Sequence, residues 1–262
     1  MTGVLEGQTI LVTRPQEQAA PLVEAITQQG GTAIVCPSLD IVPLEIETVC
    51  RVGKGTPCSP LADAEPVVLF NSANAVRYGV PLLRQDWPTF ETEALIIAQG
   101  PATQAALEAA GLSGSITPPA PYDSEAVLRL ACWQQPARPV LLVRGRGGRV
   151  WLREALQARG HPVSSLEVYE RRAAEIDFEK VLGASATNIN VIISTSLESL
   201  QALYQQTTGV WRTWLLARNL LVISSGMADL ARQLGFANSL LVADNASTSA
   251  ILAALEKQSI IK

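Results

Sequence analysis

The feature that most constrains this chain is a series of short, unbroken apolar runs, each followed by a stretch of helical length. Runs of this kind start at Thr9, Val67, Leu95, Val140, Val191 and Leu221, and Gln16–Gln28 repeats its apolar residues at helical spacing. Thr32–Cys36 reads as a further strand. Continuous rather than alternating apolarity marks strands buried on both faces, which calls for a parallel sheet with helices on either side. The fold class is therefore α/β.

The units also repeat. Ile10–Pro15, a helix and Gly30–Val35 are echoed by Val140–Gly145, a helix and Gly160–Val163. Val67–Val76 is echoed by Val191–Leu200 at an offset of 124 residues. Leu95–Ala102 is echoed by Leu221–Ala228, and Tyr122–Ala126 by Ala246–Ala250. Four correspondences in one order predict a duplication, and hence two similar lobes with a cleft between them. Glu45–Pro66, poor in apolar periodicity and rich in Gly and Pro, reads as a connection, and Gly111–Pro121 is a second such patch.

Composition narrows the function classes. At roughly 150 residues per domain, a chain of 262 residues holds one to two domains. Its 48% hydrophobic and 17% charged residues supply enough apolar surface to offset the entropy of ordering, so a disordered chain is excluded. A net charge of −4 lacks the basic excess that favours a phosphate backbone, so nucleic acid is not the expected partner. There is no basic segment followed by a long apolar run at the start, and no stretch of about 18 uncharged apolar residues. A soluble, cytoplasmic protein without membrane contact is expected. Cys36, Cys50, Cys58 and Cys132 show no C-x-x-C spacing, and His161 is the single histidine, so no metal site is expected and the cysteines read as free thiols. His161 lies in a turn sequence, Arg-Gly-His-Pro, and reads as a loop residue. No G-x-S-x-G elbow accompanies it.

In open parallel sheets, ligands bind beyond the carboxyl ends of the strands, where helix N-termini are delivered. The residues following the apolar runs are Thr13–Pro15, Asn71–Asn74, Gln99–Thr103, Arg144–Arg146, Thr195–Ser196 and Ser224–Gly226. Most are small, hydroxyl or amide residues of helix-capping type, and helix ends leave backbone N–H donors that suit an anion. Arg14, Ser72, Asn74, Thr103, Ser196 and Ser225 are candidates for binding on this ground. Arginine adds a second signal: sixteen Arg stand against four Lys, half of the arginines between Arg138 and Arg172. The guanidinium fork suits carboxylates. Arg144, Gly145 and Arg146 open a run, Arg-Gly-Arg-Gly-Gly-Arg, in which glycines let backbone and guanidinium approach a ligand together. The run fails the nucleotide pattern G-x-G-x-x-G, because position 150 is Val. Leu166–Arg172 reads as a strand carrying an outward Tyr169 followed by a basic pair. A phenol is a reasonable proton donor at neutral pH, where it is ordinarily protonated.

Taken in order, Thr13-Arg-Pro15, Phe70-Asn-Ser-Ala-Asn-Ala-Val76, Ala98-Gln-Gly-Pro-Ala-Thr103, Asp123-Ser-Glu125, Arg144–Arg149 and Val168-Tyr-Glu-Arg-Arg172 resemble the uroporphyrinogen-III synthase (HemD) family over almost the whole chain. The resemblance implies two flavodoxin-like lobes joined by a two-stranded ladder hinge. One lobe would comprise residues 1–38 and 173–262, the other 45–165, with 39–44 and 166–172 as the ladder and Tyr169 facing the cleft. It implies a lyase of tetrapyrrole (heme or chlorophyll) biosynthesis, which closes hydroxymethylbilane to uroporphyrinogen III with inversion of ring D and loss of water. No metal or organic cofactor is implied. Tyr169 matches the tyrosine that assists hydroxyl loss, and Ser72, Thr103, Ser124, Ser196 and Ser225 match positions that meet the substrate carboxylates. The chain departs from the family at Asn71, where Thr or Ser is common, and at Ile223–Ala228, where threonine often occurs. A monomer is expected, with a passing contact to hydroxymethylbilane synthase. The alternative is a two-lobed small-anion binding module without catalysis, which would be indifferent to Tyr169.

Overall fold

The computed structural model describes residues 3–46, 65–134, 136–148 and 150–260. Most of the Glu45–Pro66 connection, with Cys50 and Cys58, lies outside the described residues, as does Arg149. In chain order the first elements are β1 (Thr9–Val12), α1 (Gln16–Gln28), β2 (Thr32–Val35), β3 (Leu39–Pro43), β4 (Val67–Phe70), α2 (Ala73–Asp86), α3 (Phe90–Glu93) and β5 (Leu95–Ala98). Then come α4 (Pro101–Ala109), α5 (Ser124–Leu128), β6 (Val140–Gly145), α6 (Trp151–Ala158), β7 (Val163–Ala173) and α7 (Phe178–Leu182). The chain closes with β8 (Ile189–Ile193), α8 (Leu197–Gln206), α9 (Gly209–Leu216), β9 (Asn219–Val222), α10 (Ser225–Leu234), β10 (Leu240–Val242) and α11 (Thr248–Ile260).

The chain divides into two compact units, Met1–Ile41 with Arg172–Lys262, and Val42–Arg171. In the first unit the strand order is β10-β9-β8-β1-β2, with every neighbouring pair parallel. That is the flavodoxin-like order. Its core lies on both faces: Leu11, Ile192, Leu220 and Val222 pack under α8, α9 and α10, whereas Ile10, Val12, Val191 and Leu221 pack under α1 and α11. Leu22 and Ile26, one helical turn apart, carry the buried face of α1.

The second unit has the order β3-β7-β6-β4-β5, with β7 through β5 parallel and a further parallel bridge from Ile97 to Ile116. β3 runs the other way along β7, since Leu44 N–H donates to Val168 O at 3.1 Å while Ala174 N–H donates to Ser38 O at 3.0 Å. All residues of β4 and β6 are buried, as the unbroken apolar runs Val67–Phe70 and Val140–Val143 require.

The two sheets repeat one another as the sequence predicts. The β6, β4 and β5 strands hold the places in the second sheet that β1, β8 and β9 hold in the first. The echo of β5 shifts by two residues from the sequence reading: Leu95 corresponds to Asn219 rather than Leu221, and the helices that follow begin at Pro101 and Ser225. Apolar strands resemble one another at several offsets, and only hydrogen-bond register separates them.

Capping is less uniform than predicted. Ser72 and Ser196 cap α2 and α8, accepting from Ala75 and Ser199 N–H at 3.1 and 3.0 Å. The α10 cap is Ser224, not Ser225, and α1 and α4 have no side-chain cap. His161 is also more than a loop residue. It is 2% exposed, its Nδ1 accepts from Arg138 N–H at 3.2 Å, and its ring meets Trp133 edge-on at 5.2 Å. Burial holds its pKa below the ordinary histidine value.

Candidate active site

A cavity of about 490 Å³ opens in the second unit at the carboxyl ends of β4, β5, β6 and β7. Its wall includes Asn71, Gln99, Asp123, Ser124, Arg144, Gly145, Gly147, Gly148, Trp151, Tyr169 and Arg171. This is the edge where loops replace the sheet's ladder and side chains from several strands converge. Asn71 and Gln99 still belong to that ladder through their backbone, donating to Val143 O at 3.1 Å and Phe70 O at 3.0 Å.

Tyr169 is set by a register shift. Arg144 pairs with Glu167, but Gly145 pairs with Tyr169, so β7 carries one extra residue at this point. Such a bulge breaks the two-residue alternation and re-aims the following side chain. Tyr169 is accordingly not outward: it is 1% exposed. Arg146 N–H closes the bulge by donating to Tyr169 O at 2.6 Å. The phenol oxygen lies 3.0 Å from Ser72 Oγ and accepts from Arg171 Nη2 at 3.3 Å. The ring packs near Tyr78, with centroids 6.2 Å apart.

Arg144 is buried, and its guanidinium donates to the carbonyls of Gly145, at 3.1 Å, and Gly147. It thereby ties down the glycine loop, in which Gly147 and Gly148 take φ of 75° and 76°, a conformation that favours glycine. Asp123 caps α5, accepting from Ala126 N–H at 2.7 Å, with Ser124 in the helix's first turn. The wall carries both signs of charge, Asp123 and Glu125 against Arg144 and Arg171.

Of the residues singled out in the sequence, Ser124, Arg144, Gly145 and Tyr169 line the cavity, and Ser72 reaches it through the Tyr169 hydroxyl. Asn74 and Thr103 are buried in the first turns of α2 and α4, outside the lining. Arg146 is exposed and pairs with Glu170 at 3.1 Å and Glu167 at 3.5 Å instead of entering the cavity. Arg14, Ser196 and Ser225 belong to the first unit. There Arg14 donates to Ala246 O, its proton affinity lowered by burial, Ser196 caps α8, and Ser225 is exposed. Sequence reasoning missed Trp151, which resembles any first-turn apolar residue, and gave no separate role to Arg171. The i, i+2 spacing of Arg171 from Tyr169 on one strand was the available signal. Among the described residues, no group of three His, Cys, Asp or Glu is placed to hold a metal ion, and no helix is long and apolar enough to cross a membrane.

The fold and cavity define a flavodoxin-like α/β protein with a cavity at the carboxyl edge of its second sheet, where proteins of this class bind their ligands. The chain belongs to the uroporphyrinogen-III synthase family: the family model described as Uroporphyrinogen-III synthase HemD matches residues 20–253. It is 33% identical over 257 residues to the uroporphyrinogen-III synthase of Salmonella typhimurium (strain LT2), covering 95% of this chain and 100% of that one. The Escherichia coli (strain K12) uroporphyrinogen-III synthase is likewise 33% identical, over 260 residues, with the same coverage. Among solved structures, uroporphyrinogen-III synthetase from Helicobacter pylori 26695 superposes with a TM-score of 0.61 at 12% identity, covering 96% of this chain and 99% of its own. A mutant uroporphyrinogen III synthase from the extremely thermophilic bacterium Thermus thermophilus gives a TM-score of 0.56 at 16% identity, covering 97% and 99%. Family membership favours the enzyme over the anion-binding module.

Proposed function

We propose that this chain closes hydroxymethylbilane to uroporphyrinogen III, acting as a hydro-lyase with Tyr169 as its proton donor. The observation that carries the residue assignment is the phenol of Tyr169 at the wall of the cavity, held between Ser72 and Arg171. The terminal hydroxyl of the bilane leaves as water, taking the phenol proton as its carbon–oxygen bond breaks. The pyrrole nitrogen supplies the electron pair, giving an azafulvene cation. Ring D then attacks through a spirocyclic intermediate, and fragmentation and recombination invert the ring. The proton given up is restored from the ring D carbon that forms the closing bond, as that ring rearomatises.

The substrate carries eight carboxylates, and the cavity offers donors of the discrete kind that suit them: the Gln99 amide, the Ser124 hydroxyl and the backbone of Gly147 and Gly148. Arg144 serves this role by shaping the glycine loop. Thr103, Ser196 and Ser225 remain proposed substrate-side residues by their match to the family, and Arg14, Asn74 and Arg146 by their place after the apolar runs. We further place the protein in the cytoplasm as a monomer that receives its unstable substrate from hydroxymethylbilane synthase.

Incubating the purified protein with fresh hydroxymethylbilane, oxidising the products and separating porphyrin isomers I and III tests the function. Uncatalysed closure gives isomer I. A fraction of isomer III that rises with enzyme is the expected result, and isomer I alone from folded protein refutes the reading.

A further inference from the structure

We propose that Arg171 is a positioning residue for Tyr169, holding the phenol oxygen as an acceptor and steadying that oxygen once its proton has gone. The inference rests on the functional reading above.

Arg171 and Tyr169 are two residues apart on β7, which puts them on one face of the strand. Nη2 lies 3.3 Å from the phenol oxygen, and the guanidinium carbon lies 5.6 Å from the ring centroid. A guanidinium has donors only, so the phenol oxygen is the acceptor in this bond. Ser72 Oγ accepts from Ala75 N–H at 3.1 Å and keeps both its hydrogen and a second lone pair for the 3.0 Å contact to Tyr169, so that contact can run in either direction. Arg171 thus fills one acceptor site of the phenol oxygen with a charged donor, at the wall of the cavity.

The same geometry favours the product of proton transfer. When the carbon–oxygen bond of the substrate breaks and its oxygen leaves as water with the phenol proton, Tyr169 becomes a phenolate. Its bond from Arg171 is then ionic on both sides, and such bonds are shorter and stronger than neutral ones. The ring is buried while Arg171 is exposed, so the attraction is screened on the guanidinium side alone. Interactions that strengthen as charge develops lower the barrier rather than merely tightening binding. The second cavity arginine, Arg144, is directed to the carbonyls of Gly145 and Gly147.

The test is a double-mutant cycle of wild type, Arg171→Met, Tyr169→Phe and the double variant, with kcat and KM for isomer III measured on each. Arg171→Met is expected to lower kcat about tenfold or more while KM stays within about twofold, and to cost nothing further on Tyr169→Phe. Arg171→Lys, which keeps a charged donor, is expected to regain much of the loss. Equal losses in both backgrounds overturn the proposal, as does a raised KM with kcat retained, which would make Arg171 a carboxylate binder. If Arg171→Met does not fold by circular dichroism, Arg171→Gln takes its place in the same cycle. A wild type that yields only isomer I overturns the functional reading and this inference with it, whereas isomer III with additive variants overturns the role of Arg171 alone.

Discussion

The ring of Tyr169 occupies the space that a side chain on Gly145 would need: a Cβ built there falls 2.6 Å from Cζ and 3.0 Å from the hydroxyl. Gly145 is required by this approach, not by its backbone angles. Gly145→Ala is expected to cost about 1–3 kcal/mol through overpacking and to displace the phenol from Ser72. Thermal unfolding and the rate of isomer III formation check the two halves of this expectation, and unaltered turnover would show that the phenol's position is not critical.

Tyr169→Phe removes one hydroxyl and keeps the ring against Tyr78 and Gly145. Turnover is expected to fall by at most about 10²–10⁴, the range of general acid catalysis, with the unfolding midpoint little changed. Wild-type kcat in the variant would make Tyr169 structural.

Ser72 has two duties, capping α2 and bonding the phenol, whereas Ser224 caps α10 in the first unit. Each Ser→Ala change is expected to cost about 1 kcal/mol of stability, the usual worth of such a cap. Ser72→Ala should in addition lower kcat, and denaturant titration beside steady-state kinetics separates the two effects.

Arg144 reaches two carbonyls of the glycine loop, so its loss acts on loop shape. Arg144→Ala is expected to raise KM, and Arg144→Lys to restore it only in part, because an ammonium lacks the fork that spans both acceptors. An unchanged KM in Arg144→Ala would remove the loop from the binding surface.

His161 ties stability to pH. Its folded pKa is held below the ordinary value of 6.5, so the unfolded chain binds a proton more readily. The contribution is fully present above about pH 6.5 and is lost as pH falls through the depressed folded pKa. Denaturant unfolding at stepped pH values should show this slope in the wild type and a shallower one in His161→Gln. Equal slopes would show that the neutral ring is not what the core requires.

Much of the fold was legible because its signals are local. An unbroken apolar run such as Val67–Phe70 leaves no polar face, so it must lie inside a sheet covered on both sides. The match of Ser72 to Ser196 likewise identified two equivalent helix starts from sequence alone. Asn74 and Thr103 were harder to place, since a polar residue in the first turn of a helix looks the same in sequence whether its side chain lines a cavity or packs inward. Arg146 shows a similar limit. Its partners Glu167 and Glu170 lie on β7, and a charge pair between a loop and a strand distant in sequence leaves no trace in local spacing.

The sequence by itself determined the α/β class, the duplicated order of strands and helices, and the family, because periodicity and motif order survive without coordinates. Only the tertiary structure decided where Tyr169 sits. One extra residue on β7 beside Gly145 turns the ring inward, and a one-residue change of register exchanges the faces of a strand without altering any residue in it. Of the partners of the phenol, Arg171 is local on β7, whereas Ser72, from the turn after β4, meets it only through folding.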